Sequence, residues 1–281
     1  MPDKKSLVKF FKNPLSIIGS LIILALILAA LFAPLLAVYS PTEIIMADKL
    51  VSPSASHFMG TDELGRDIYS RILYGARISI MAGLQVVCIA MGIGVVTGAI
   101  AGYFGGWVDE VIMRITDMFL AFPSMILAMA IAAALGPSLS NAVIASSITW
   151  WPWYTRMIRS QILALREFEF VEAARASGNT KIGVIWKYIL PNCLSPLIVQ
   201  ATMDIGFAIQ LTAGLSFLGL GAQPPTPDWG SMLSMGRKYM LTHWWYVTFP
   251  GLCIFLVVLG FNLLGDGLRD HLDPRLKNVS D

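Results

Sequence analysis

The chain has 281 residues, 56% hydrophobic and only 14% charged, with a formal net charge of +2 and a mean hydropathy of +0.68. A water-facing domain carries roughly a quarter charged residues, so most of this surface must meet lipid rather than water. The near-balanced charge says little about partners, and no basic block or aromatic–basic interleaving suggests nucleic acid.

Crossing the hydrocarbon takes about 20 apolar residues, and six stretches supply them: Leu15 to Val38, Ile78 to Phe104, Val111 to Leu135, Asn141 to Leu163, Leu194 to Leu220 and Trp245 to Leu264. The pattern predicts an all-α integral membrane protein with six transmembrane helices. Lys4, Lys5, Lys9 and Lys12 precede the first stretch, but its apolar run is longer than a signal peptide's 7–15 residues, so it stays as an anchor. The organisation is then an N-terminus (1–14), a first helix (15–38), an outer loop (39–77), a five-helix core (78–267) and a tail (268–281). With the N-terminus inside, inner segments and span ends hold 14 Lys and Arg against 6 outside, which places both termini in the cytoplasm.

On the second span Ala90, Gly94, Gly98 and Gly102 recur every four residues, a face where a neighbouring backbone can approach closely. Pro123 and Pro152 interrupt spans three and four, and such breaks persist only where protein or a water-lined cavity satisfies the freed carbonyls. Cys88, Cys193 and Cys253 show no metal spacing and read as free thiols.

The inward segment from Arg166 to Pro191, REFEFVEAARASGNTKIGVIWKYILP, is long and amphipathic. Phe168, Val171, Ala174 and Ala176 form an apolar stripe, Gly178-Asn179 suits a left-handed helix end, and Thr180 is placed to cap a second short helix over Lys181–Tyr188. A helix, sharp turn and helix outside the membrane would fit a groove on another protein.

The order Glu172-Ala173-Ala174, Gly178, Ile189-Leu190-Pro191 resembles the EAA loop of bacterial ABC import permeases, with the Ile one place later than the importer-wide pattern. Three further segments, Gly60 to Ser79, Leu215 to Met232 and Phe261 to Leu276, are similar to the dipeptide, oligopeptide and nickel permease family. The resemblance implies a type I ABC importer transmembrane domain in a bacterial or archaeal cytoplasmic membrane, with no catalytic residues of its own. It also implies a second homologous permease, two ATPase subunits that bind ATP and Mg, and an extracytoplasmic substrate-binding protein. Residues 166–191 would then be the coupling element. Consistently, the sequence has no G-x-x-x-x-G-K-[ST] phosphate loop, so no cofactor is expected in this chain.

Asp204 is the one acid deep within a span, where a charge costs about 2.5–3.5 kcal/mol on translocon scales. It either lines the translocation path, with Gln200 one turn away on the same face, or makes an inter-subunit hydrogen bond. Trp150, Trp151, Trp153 and Tyr154 surround Pro152 and form either a cavity wall or packing against the partner permease. Asp117 is placed to pair with Arg114. Asp62, Glu63, Arg66, Asp67 and Arg71 form either a salt-bridged collar or a solvated loop face. His57 and His243 read as isolated and outside, His271 lies near the inner end, and no metal site is expected. The run Pro224, Pro225, Thr226, Pro227, Asp228, Trp229, Gly230 is a rigid turn, either near the outer gate or docking face or acting as a re-entrant cap.

The leading reading is a permease subunit for di- or oligopeptide import. Ala201 to Gly206 and Trp151 to Ser160 resemble nickel-type members, so nickel or metallophore import, and glutathione import, stand as alternatives. A proton-coupled secondary transporter would need relay acids and internal repeats, and neither is evident.

Overall fold

The computed structural model describes residues 13–272. The basic N-terminus and the end of the tail, with Lys4, Lys5, Lys9, Lys12, Arg275 and Lys277 of the orientation tally, lie outside the described residues. Among those described no strand forms; one isolated bridge links Thr61 and Asp67.

Helix α1, Pro14–Leu31, starts where the Asn13 side chain accepts from Leu15 N at 3.0 Å and Pro14 supplies a pre-set φ. A short α2, Ala33–Leu36, follows. Helix α3, Ile68–Phe104, spans 37 residues, about 55 Å at about 1.5 Å per residue. It begins ten residues before the expected span because Asp67 caps it, accepting from Ser70 N at 2.8 Å. Twelve of the twenty residues from Gly60 to Ser79 are therefore helix.

The expected third span is two helices, α4 (Gly106–Leu120) and α5 (Ser124–Leu135), bent by 90°. Pro123 offers no N–H and disfavours helical backbone at Phe122, which explains the break. Pro152, by contrast, lies inside a continuous helix α6, Leu139–Leu165, and does not interrupt it. Its flanking residues Trp151 and Tyr154 are buried in the core, so packing holds the helix through the lost hydrogen bond.

Helices α7 (Glu169–Ala176) and α8 (Lys181–Val184) form the bent segment. A π turn over Ile185–Ile189 joins α8 to α9, Leu190–Phe217, and together they run as one helix from Lys181 to Phe217. The expected separate short helix over Lys181–Tyr188 is thus the start of span five. The π turn precedes Pro191, whose missing N–H falls where the ladder has already changed register. Helices α10, Trp229–Gly236, and α11, Trp245–Leu272, complete the chain.

Four helices are long and apolar enough to cross a membrane, and the bent α4–α5 pair makes a fifth. Helix α6 has sufficient length at 27 residues, but Arg156, Arg159 and its hydroxyl residues leave it too polar to qualify by composition. The expected count of six is therefore reached only by including α6, which the bundle shields.

That shielding follows from the small-residue face of α3. A Cβ on Gly94 would lie 2.3 Å from Tyr154 Cβ, one on Gly98 2.6 Å from Thr155 O, and one on Gly102 3.0 Å from Arg159 O. The two backbones are nearly touching, as the four-residue spacing predicts. Val86, Ala90, Tyr154, Ile158 and Ile162 fill this contact, and the same cluster continues into Val171, Ala174, Val184 and Ile189. A second cluster joins α1, the start of α3, α10 and α11 through Ile23, Ile72, Trp229, Tyr246 and Phe261.

Candidate functional site

The segment between α6 and α9 presents two faces. Val171 and Ala174 are buried, whereas Phe168 and Ala176, expected in the same stripe, are exposed. Eight helical residues cannot bury four positions against one neighbour when Phe168 stands outside the helix as its N-cap. Gly178 takes φ +79°, a left-handed conformation that favours glycine, and Asn179 Nδ2 donates to Ala174 O at 2.9 Å across the turn. Thr180 Oγ1 accepts from Gly183 N at 3.1 Å, so the predicted cap forms. Arg175 lies over the Tyr103 ring at 5.2 Å and Lys181 over Phe104 at 5.8 Å, which seats the loop on the end of α3.

Of the residues expected in coupling, Glu172, Ala173, Gly178 and Pro191 are exposed, while Ala174, Ile189 and Leu190 are buried. The open face also carries apolar side chains that the sequence reading missed as surface: Phe168, Phe170, Ile182 and Trp186, 40–65% exposed. Phe168 and Phe170 stack at 6.1 Å. The pairing of Ile182 with Trp186 at four-residue spacing was the available signal. These apolar groups stand open at the loop end together with the exposed Glu172 and Lys187.

Deeper in the bundle, Asp204 is 3% exposed and accepts from Gln200 Nε2 at 2.9 Å. The Tyr154 hydroxyl and the Trp150 indole N–H lie near this carboxylate, but neither makes a hydrogen bond of normal geometry. The acid is thus buried within its own chain, with Gln200 as its hydrogen-bond donor. Trp150 is half-buried and stacks on Phe207 at 6.5 Å, whereas Gln200 and Trp153 are exposed. Asp117 does not pair with Arg114. It pairs with Arg156 of α6 at 2.6 Å, and Arg114 faces Glu110 at 3.5 Å. Arg159 and Asp109 add a second α4–α6 bridge at 2.5 Å.

At the opposite end, the charged residues near the start of α3 form a buried network rather than a solvated face. Asp62, Arg66, Asp67 and Arg71 are each 3% exposed or less. Arg66 Nε donates to Asp62 at 2.6 Å, and Arg71 Nη1 donates to Pro41 O at 2.8 Å and Pro225 O at 3.3 Å. Tyr246 donates to Glu63. His57 is not isolated: it is buried, meets Asp67 at 3.0 Å and stacks on Tyr39 at 4.8 Å. Buried charges require such pairing.

The proline-rich run closes over this network. Pro224 and Pro225 are exposed, whereas Asp228 and Trp229 are buried. Trp229 Nε1 donates to Ile72 O at 3.2 Å, and its ring lies 2.9 Å from where a Cβ on Gly75 would stand. Asp228 caps α10 through Ser231 N at 2.9 Å and accepts from Ser79 at 3.2 Å. Burial holds its carboxyl above the usual carboxylate range, against the opposing pull of those hydrogen bonds.

Comparison with known proteins agrees with this geometry. Residues 94–278 match the family described as "Binding-protein-dependent transport system inner membrane component", and residues 4–53 match the "N-terminal TM domain of oligopeptide transport permease C". The chain is 51% identical over 277 residues to the dipeptide transport system permease protein DppC of Alkalihalophilus pseudofirmus, covering 99% of this chain and 91% of that protein. It is 49% identical to the probable D,D-dipeptide transport system permease protein DdpC of Escherichia coli, covering 94% and 88%. It is 44% identical to the glutathione transport system permease protein GsiD of Pectobacterium atrosepticum, covering 96% and 90%. A solved chain of the MetNI methionine ABC transporter superposes with a TM-score of 0.58 at 18% identity, covering 71% of this chain and 94% of that one, which establishes the shared fold. The chain belongs to the binding-protein-dependent transport system inner membrane components, and is a multi-pass membrane permease subunit rather than an enzyme.

Proposed function

We propose that the chain is one of two permease subunits of a peptide importer. Its partners are two ATPase subunits that bind ATP and Mg, a second homologous permease and an extracytoplasmic binding protein. Both termini and the α7–α8 loop face the cytoplasm, where the ATPases dock. The observation that carries this reading is the two-faced loop. Its outer face offers Glu172, Ala173, Phe168, Ile182 and Trp186 to a partner, while its inner face is continuous with the core between α3 and α6.

Movement of a docked ATPase therefore displaces α3, α6 and α9 as a packed unit rather than deforming the loop, because close-packed interiors transmit displacement. Such rocking alternately exposes a central path to each side. Names of relatives that carry dipeptides and glutathione support peptides as the substrate class, and the family assignment removes the proton-coupled alternative.

The test is uptake by proteoliposomes holding the whole complex, offered labelled dipeptides, longer peptides, glutathione and nickel. ATP-dependent dipeptide accumulation, abolished by Glu172→Lys with Gly178→Val, is the expected result. Accumulation of nickel without peptide, or uptake indifferent to those loop changes, would refute it.

A further inference from the structure

The enclosed Asp204 leaves open which charges a peptide meets inside the bundle, and a second, exposed set answers. Asp117 and Arg156 pair at 2.6 Å with side chains 56% and 47% exposed. Arg156 lies nine residues, about 14 Å, inside the end of α6 at Leu165. Its neighbour Thr155 meets Thr97 at 2.7 Å, and Thr97 is itself about 10 Å inside the end of α3 at Phe104. Both measures put the pair about two helical turns or more inside the loop end of the bundle. An open ion pair set this far inside the bundle's end is better placed against protein or a water-filled cavity than against acyl chains.

Exposed polar groups continue from the pair along both helices, alongside the exposed apolar Ile115 and Met118 of α4. Glu110, Arg114 and Asp117 fall at i, i+4 and i+7, one face of α4, and all three are exposed. On α6, Trp153 and Ser160 flank Arg156 at helical spacing, also exposed. A charged, aromatic and hydroxyl-bearing strip leads from the loop end of the bundle inward. The neighbouring Arg159–Asp109 pair is more shielded, at 31% and 16%, as expected of a bridge that only fastens α4 to α6.

We propose that this strip lines the inner part of the translocation path, and that Asp117 and Arg156 form a transit site for the two charged ends of a peptide. The inference rests on the peptide-import reading above. Asp117 receives the ammonium group, and the planar guanidinium of Arg156 takes the carboxylate by paired N–H donors. Their mutual pairing in the empty state competes with the peptide. That competition keeps binding weak, which transit requires, since a substrate held tightly would not leave.

The test uses the whole complex in proteoliposomes, with Cys88, Cys193 and Cys253 of this chain replaced by Ala. Trp153→Cys and Arg156→Cys, made singly, are exposed to a membrane-impermeant maleimide in the ATP-free and vanadate-trapped states. The expected result is labelling at both positions in at least one state, slowed about tenfold by saturating dialanine. Maximal dialanine uptake by the Asp117→Asn, Arg156→Gln double variant should fall about tenfold, the scale of one charge-assisted hydrogen bond. Trp153→Cys leaves the ion pair intact, so it carries the labelling test if Arg156→Cys fails to assemble.

Absence of labelling in both states would show the strip covered by lipid or the second permease, and would overturn the proposal. Labelling without protection, together with unchanged uptake by the double variant, would overturn it equally. Dialanine uptake by the unsubstituted complex is measured in the same vesicles. Its absence would fail the peptide reading itself, whereas its presence with no labelling fails only the transit site.

Discussion

Gly94→Ala adds one methyl group where α3 has least room. Its ideal position is 2.3 Å from Tyr154 Cβ and 2.9 Å from both Thr155 N and Trp151 O. Two of these three are backbone atoms, and Tyr154 is 1% exposed, so no side chain can swing aside and the helices must part. Parting also loosens the contacts at Gly98 and Gly102 and the cluster around Val86, Ile158 and Ile162. Overpacking costs about 1–3 kcal/mol, and an obstruction by backbone belongs at the upper end. Ala regains about 1 kcal/mol over Gly in a helix, leaving a net loss of about 2 kcal/mol. That corresponds to a fall of about 4–8 °C in apparent Tm for a chain of this size. Gly92 is the control, two residues away in the same helix, with nothing within 4 Å of its added Cβ. Gly92→Ala should raise Tm by a few degrees or leave it unchanged. The assay is thermal unfolding of the purified complex in detergent, followed by tryptophan fluorescence and by size exclusion after heating. Equal shifts for the two variants would refute the claim that α3 and α6 meet backbone to backbone.

Gly178→Ala places a Cβ in open space but at φ +79°, a strain of about 1–2 kcal/mol; coupled uptake should fall while Gly92→Ala, whose added Cβ also meets nothing within 4 Å but at a helical φ, changes it little. Asp62→Asn removes the charge facing Arg66 and Arg71 inside the cap and should cost about 3–5 kcal/mol. Glu110→Gln, which breaks a pair 77% and 69% exposed, should cost under about 1 kcal/mol; both are read from Tm. Asp228 gives a pH signature. Its folded carboxyl titrates above the unfolded value of 3.8, so the folded state holds the proton longer and stability falls as pH rises from 3.8 through that raised value. Asp228→Asn keeps a capping oxygen and removes the titration, so its Tm should overtake the unsubstituted protein's across that window and stay above it at neutral pH. Parallel Tm profiles for the two would contradict the assignment.

Local chemistry was legible in the sequence. Span existence follows from uninterrupted apolar length, the α3 stripe from a four-residue period, and the loop from Gly178 and the Thr180 cap, all set by residues near one another in the chain. Bend placement was legible only in part: Pro123 breaks its helix and Pro152 does not, because neighbours packed on α6 decide whether a lost hydrogen bond is tolerated. Partners of charges were not legible. Asp117 has Arg114 within one helical turn, yet it bonds Arg156, 39 residues away; Arg71 reaches Pro225 across 154 residues and Glu63 meets Tyr246 across 183.

What the sequence by itself determined is the solvent, the approximate spans, the family and the bent loop after α6, since each depends on composition or on spacings a helix fixes locally. Only the tertiary structure decided which charges are sealed and which stand open. Asp204 read as either a pathway acid or an inter-subunit hydrogen-bonding group and is buried in its own chain, while Asp117 read as paired with Arg114 and is half-exposed beside Arg156. Burial is a property of what the rest of the chain brings alongside, and no local spacing encodes that.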